Sequence, residues 1–406
     1  MILTRGALPP APHTEFRVRG SFTLEEIHGS YGFSGPHSRK VHLRSYPTEQ
    51  SEPPAAGLFD LAPRPPSEPP LLQPYHLDTG RAPAGPDAVR ARLALLHGPG
   101  TTVSVARSSR SMPADTFFRN GEKHELYFVQ EGAGRLRSEF GELRFRKNHY
   151  LAVPKGTTYR LDLSAPCHLL VVESTYPIDF APHHLNRAGQ ATLMAPVVET
   201  QLEAPEFKPP VDRRGRFGID VKHGGGRVTR LTLGHHPFDL VGWEGALFPY
   251  AFDILNHHGI ARAIHVAPPM HQTFQSGSAP YSGFSICSFV PQVEGWDPRD
   301  VPAPYAHSNV DSDECMFFAN ASYGARKGVI RPGSLTFHPG SLPHSPQGRA
   351  AGLSLAGRGK RSRRLAVMLD TFFESLEITE AGWRLRDPEY PLSWSDAARR
   401  QEAPSR

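Results

Sequence analysis

Three residues in the C-terminal half of the chain have the types and spacing to hold a metal: His307, Glu314 and His344. Two imidazoles and one carboxylate on one face leave coordination positions open, the donor set of mononuclear non-haem ferrous iron, Fe(II), which can then meet a substrate and O2. In a small β-barrel such ligands come from adjacent strands, so a His…Glu pair precedes a second histidine some way along the chain. Here His307-Ser308-Asn309 leads to Glu314, and Gly333, Pro339 and His344 follow. A lone His and Glu at this spacing is weak in a chain with 21 histidines; the pair with a Gly/Pro-spaced second motif is more specific. Asp311 and Asp313 compete with Glu314 as the carboxylate. Strand alternation puts Glu314, Met316 and Phe318 on one face and Asp313, Cys315 and Phe317 on the other. Alternation alone leaves open which face looks inward.

Such ligands need strands to carry them, and the composition supplies a β-rich background. The 406 residues include 41 Pro and 37 Gly, which break helices and supply turns. From Glu125 onward the text becomes short strands punctuated by Gly or Pro: ELYFVQ, EGAGRLRSEFGELRF, NHYLAVPKGTTYRLDL and CHLLVVES. A second series follows from Arg227: RVTRLTL, ARAIHVA, FSICSFV, ECMFFANA, GSLTFHPG and RRLAVMLD. The expectation is an all-β chain of two barrel-like or jelly-roll halves with few short helices. Residues 1–107 read as a proline-rich N-terminal arm laid over the barrels, 108–195 as a first half, 196–375 as a second, and 376–406 as a tail. DAVRARLALLHG, residues 87–98, reads as one of few helices, with Pro86-Asp87 as its start. SWSDAARRQEA in the tail is a second, shorter one.

The halves look like a degenerate internal repeat. RNGEKHELYFVQEGAG precedes NHYLAVPKGTTYRL, as HSNVDSDECMFFANASYG precedes GSLTFHPGSLPHSPQG. The second copy ends in Pro343-His344, whereas the first has Gly156-Thr157-Thr158 and no histidine there. One metal is therefore expected, in the second half. The His307…Glu314…His344 arrangement follows the cupin pattern.

Other classes are excluded or disfavoured. The formal charge of +5 is small and the Lys/Arg residues are spread thinly, so no basic stripe for nucleic acid is legible. No apolar run approaches the ~18–20 residues of a membrane span. The start lacks the apolar core of a secretory signal, and a cytoplasmic protein is expected. Cys167, Cys287 and Cys315 stand alone in apolar segments and read as buried hydrophobes. The pairs His235-His236 and His257-His258 read as structural, because successive strand residues point apart.

The chain resembles the homogentisate 1,2-dioxygenase family, in its shorter bacterial branch. The resemblance runs through GSYGFSGPHSRKVHL, FFRNGEKHELYFVQEGAGRL, HHPFDLVGWEGALFPYAFDI, PPMHQTFQS, FSICSFVPQ, PYAHSNVDSDE, SYGARKG, LTFHPGSLPHSPQG and AVMLDTFF. It implies Fe(II) held by His307, Glu314 and His344, with Asp313 as the alternative carboxylate in the register of the longer branch. It implies a catalytic histidine at His271 and substrate contacts at Asn309, Tyr323 and His338. Phe317 or Phe318 is expected to pack on the substrate ring. The implied reaction opens homogentisate with O2 to maleylacetoacetate, and the implied assembly is a homo-oligomer, a trimer or hexamer. Two readings stay open beside it: cleavage of another hydroquinone such as gentisate, and a metal-binding cupin without catalysis.

Overall fold

The computed structural model describes residues 1–44, 50–51, 59–258, 271–278, 282–295, 297–320, 329–345 and 350–392. The chain is all-β, with the helical segments among these residues confined to short pieces such as Ala350–Ser354 and Glu380–Leu385. Two large curled sheets carry the architecture, one of twelve strands and one of seven, with a four-stranded sheet built from the N-terminal segment and Leu240–Gly245 beside them.

The two large sheets are built alike. In the first, His124–Ser138 is flanked by His149–Val153 and by Thr158–Ser174, with Glu125 opposite both Val153 and Glu173. In the second, Glu314–Phe318 is flanked by Ser334–His338 and Ala366–Phe372, with Glu314 opposite both His338 and Asp370. The halves also lend strands to each other. Tyr75–Asp78, ahead of the first half, extends the second sheet beside Ser334–His338. Tyr250–Asp253, inside the stretch 196–375 expected to form the second half, instead extends the first sheet beside His149–Val153. Ile178–Phe180 and Glu377–Ile378 make the matching exchange at the other edges.

The exchange places one continuous apolar core between the sheets. Phe128, Tyr150 and Phe252 from the first meet Phe274, Phe284, Ile286 and Phe317 from the second. Edge-on contacts, such as Phe128 to Phe317 at 6.3 Å between centroids, suit the ring quadrupoles. Cys315, Phe317, Leu335, Phe337, Val367 and Leu369 all enter this core, so the opposite face, with Glu314, Met316 and Phe318, lines the second barrel's interior. That resolves what alternation left open. It also moves Phe317 out of reach of a substrate ring and leaves Phe318 on the inner face.

Two further expectations are corrected. Residues 87–98 are not a helix: Asp87 Oδ1 accepts the Val89 and Arg90 amides, the chain turns once, and Leu93–His97 is a strand. It pairs with Thr101–Ser108 on one side and Glu377–Ile378 on the other. Arg227–His235 is a strand, but it joins the first sheet through Arg214–His223 rather than the second. ARAIHVA and SWSDAARRQEA lie outside the described residues. No helix among the described residues is long and apolar enough to cross a membrane.

Candidate metal centre

Glu314 opens its strand at the mouth of the second barrel and is buried, 4% exposed. His307 and His344 lie outside regular strands, yet each backbone amide donates to the other's carbonyl, at 3.0 and 2.8 Å. This isolated bridge fixes two loop histidines opposite one another, with ring centroids 4.3 Å apart. One ligand atom from each of His307, Glu314 and His344 falls within 4.8 Å of the others, the only such group among the described residues.

The hydrogen bonds set the tautomers. His307 Nδ1 donates to the Tyr305 carbonyl at 3.2 Å and His344 Nδ1 to the Leu342 carbonyl at 3.0 Å. A carbonyl only accepts, so both neutral rings carry their proton on Nδ1 and present an Nε2 lone pair. Both Nε2 atoms lie 3.3 Å from the same carboxylate oxygen, Glu314 Oε2. Lone pairs facing an anion repel unless a proton or a cation lies among them. His344 Nε2 is buried and makes no properly angled hydrogen bond. The set therefore fits a divalent metal ion.

The charges agree. Burial pushes the Glu314 carboxyl upward, but the three imidazoles gathered on it, His307, His338 and His344, outweigh that and hold the group well below the usual range. The Glu314 carboxylate facing its Nε2 raises His307. His338 Nδ1 donates to Glu314 Oε1 at 3.0 Å and its ring stacks on His344 at 4.3 Å. It thus pins the carboxylate oxygen that the other two imidazoles do not face. Asp313 is committed elsewhere: its oxygens accept the Gly340 and Leu376 amides, each at 2.6 Å. It ties the ligand loops together from behind.

Asn309 Nδ2 donates to Asp370 Oδ1 at 3.3 Å. Asp370 sits beside Glu314 on the inner face, and burial, then the Glu314 charge, pushes it up to about 7. The sequence reading missed Asp370; its only signal is an acidic residue inside the apolar strand Ala366–Phe372. His271 is buried and stacks on Phe289, with centroids 4.7 Å apart. Phe289 lies four residues along its strand from Ser285, the residue opposite Asp370. Tyr323 lies outside the described residues. His236 packs edge-on against Phe117 and Phe217, and His257 Nδ1 meets Thr273 Oγ1 at 3.0 Å, both inside packed structure. The three cysteines are free and buried.

The first barrel shows what replaces a metal. By register Glu125 is the counterpart of Glu314, and Glu173 of Asp370. Tyr159, six residues past Val153, matches His344, six past His338. The cavity is filled from within: the buried Arg92 guanidinium bonds Glu125 and both Tyr127 and Tyr159 hydroxyls. Tyr159 donates to Glu125 Oε2 at 2.7 Å and Lys222 to Glu173 at 2.6 Å. Protein cations neutralise these carboxylates where the second barrel leaves room for a metal ion.

Residues 93–254 match the family model described as homogentisate 1,2-dioxygenase N-terminal. A protein of Saccharolobus solfataricus, named "putative dioxygenase", is 29% identical over 390 residues, covering 96% of this chain and 98% of its own. The homogentisate 1,2-dioxygenase of Caenorhabditis elegans is 26% identical over 291 residues, covering 69% of this chain and 64% of its own. That of Bradyrhizobium diazoefficiens is 27% identical over 259 residues, covering 61% and 54%. The chain thus spans less than two thirds of those two enzymes. A solved cupin barrel protein from Leptotrichia buccalis overlays 73% of the chain with a TM-score of 0.32 and 10% identity.

Proposed function

We propose that the chain is a member of the homogentisate 1,2-dioxygenase family, whose N-terminal family model matches residues 93–254, and that it is an Fe(II)-dependent enzyme converting homogentisate and O2 to maleylacetoacetate. One ring carbon–carbon bond breaks and both oxygen atoms enter the product. The observation that carries this reading is the convergence of two Nε2 lone pairs on Glu314 Oε2, with the Nδ1 protons fixed by backbone carbonyls. The role belongs to tyrosine and phenylalanine degradation in the cytoplasm, with the chain in a homo-oligomer.

Ferrous iron bound there would supply the redox centre that lets a closed-shell hydroquinone react with O2. The remaining work falls to the chain. His307, Glu314 and His344 would hold the ion. His338 keeps Glu314 Oε1 occupied, so that Oε2 is the oxygen presented to the ion. Deeper along the inner face, Met316, Phe318 and Phe289 make an apolar wall that suits an aromatic ring and excludes water. Asn309, Tyr323 and His338 are the proposed contacts to the substrate's polar groups. His271 is the proposed general base for a ring hydroxyl.

Three measurements test this reading. Anaerobically reconstituted protein should bind one iron per chain, because Arg92 occupies the first barrel's equivalent site. Metal analysis giving close to two per chain would refute that. His271→Ala should retain iron and bind homogentisate, yet turn over at least about a hundredfold more slowly, since a general base contributes about 10²–10⁴-fold. Oxygen uptake with homogentisate, gentisate and unsubstituted hydroquinone decides the substrate. Uptake with gentisate alone would reject the homogentisate assignment, and uptake with none would leave a metal-binding cupin.

A further inference from the structure

The pairing of the two barrels shows a feature of the site that neither barrel shows by itself. Asn309 precedes Glu314 by five residues, as Asn120 precedes Glu125. Both amides meet the corresponding carboxylate of the neighbouring strand. Asn309 Nδ2 donates to Asp370 Oδ1 at 3.3 Å, and Asn120 Nδ2 donates to Glu173 Oε1 at 2.6 Å. In each barrel the amide is thus oriented with its nitrogen toward the acid and its oxygen away from it.

The barrels differ in what that oxygen does. Asn120 Oδ1 accepts the Glu122 and Lys123 backbone amides, at 3.0 and 2.9 Å, and is spent on its own turn. Asn309 Oδ1 accepts no hydrogen bond among the described residues, and Asn309 is half-buried on the stretch between two metal ligands. Asp370 shares the inner face with Glu314, on the side away from His338. The amide therefore lies beside the ligand set, with its oxygen uncommitted among the described residues.

We propose that Asp370 is a positioning residue that fixes Asn309 as a hydrogen-bond acceptor, so that the site selects an aromatic substrate whose ring hydroxyl still carries its proton. This rests on the hydroquinone reading above and adds the basis of its selectivity. A hydroxyl donates to Asn309 Oδ1, whereas an ether or quinone oxygen at the same place presents one acceptor to another. The barrel without a metal keeps the same pair and closes the amide off. The barrel with one leaves it open.

The test uses the full-length, iron-loaded protein without O2, so that binding is read without turnover. Dissociation constants are measured by calorimetry for homogentisate and its two monomethyl ethers, with iron content determined alongside. Wild type should prefer homogentisate over one of the ethers. Asp370→Asn replaces the acid with an amide that offers a donor as well as an acceptor, and frees the Asn309 amide to turn over. It should keep its iron, weaken homogentisate roughly three- to tenfold, the scale of one hydrogen bond, and shrink the preference over that ether by a similar factor. Asp370→Glu should restore the preference in part. In an Asn309→Ala background, Asp370→Asn should add nothing further. Iron loss in Asp370→Asn, an unchanged preference, or full additivity with Asn309→Ala would each overturn the proposal. Wild-type protein that binds homogentisate and turns it over, with any of those results, overturns this proposal alone. Wild-type protein that does neither overturns the functional reading and this proposal with it.

Discussion

Glu314→Ala is expected to remove bound iron and ring-cleaving activity together, while Asp313→Ala keeps the metal. The two carboxylates are neighbours in sequence and equally buried, so burial does not separate them. Their partners do. Glu314 faces His307 and His344 at 3.3 Å each and takes a third imidazole, His338, on its other oxygen. Asp313 faces the opposite way and holds two backbone amides. Losing Glu314 leaves two neutral imidazoles, which are too few donors and lack the charge a dication needs. Losing Asp313 leaves the Gly340 and Leu376 amides unpaired, at about 1–3 kcal/mol for each such group that stays buried. Its signature is a lower melting temperature with iron still bound. His338→Ala gives an intermediate case: an outer partner of a ligand typically contributes 10–100-fold in metal affinity. Metal analysis and melting curves on the three variants distinguish these roles. Iron kept in Glu314→Ala and lost in Asp313→Ala would move the carboxylate ligand to Asp313.

The gathering of His307, Glu314 and His344 was legible in the sequence because a candidate metal site demands residue types that spacing alone can display. His307, Glu314 and His344 announce themselves as a pattern even though two of them sit in loops. Which face of Glu314–Phe318 turns inward was not legible, because Met316 and Phe318 are as apolar as Cys315 and Phe317. The decision comes from the other sheet, whose Phe128 and Tyr150 need a partner surface. Asp370 was hidden for a related reason: its meaning depends on lying opposite Glu314, and register across strands is not written in either strand.

Residues 87–98 show a different limit. Pro86-Asp87 is a real helix-start signal, and Asp87 does hold two amides as a cap would. The run Leu93–His97 is apolar without a strand-like alternation, and periodicity does not separate a buried strand from a buried helix turn in so short a run. Tertiary pairing on both edges decides for strand. The repeat was visible, and so was the absence of a histidine near Thr157. The filling of the empty place was not, since Arg92 comes from outside both repeat copies as the sequence displayed them.

That filling carries the largest expected effect on stability. Arg92→Ala should destabilise the protein by about 3–5 kcal/mol, the usual cost of removing one member of a buried ion pair. Arg92, Glu125 and Glu173 are all buried, and burial by itself would disfavour their charges. Glu125 and Glu173 hold Arg92 firmly protonated, and Lys222 and Arg92 hold Glu173 ionised. Without the guanidinium, Glu125 stays buried with Tyr159 and Asn120 as its side-chain partners among the described residues. The Tyr127 and Tyr159 hydroxyls lose their shared donor as well. Arg92→Lys should recover only part of the loss, because one ammonium cannot match the planar fork that reaches a carboxylate and two phenols. Equilibrium unfolding of the metal-free protein measures this without a contribution from iron binding. If Arg92→Ala unfolds like wild type, the guanidinium is not what holds the first barrel closed. If it instead gains a second iron per chain, the carboxylate left behind takes a metal ion in place of the side chain that excluded one.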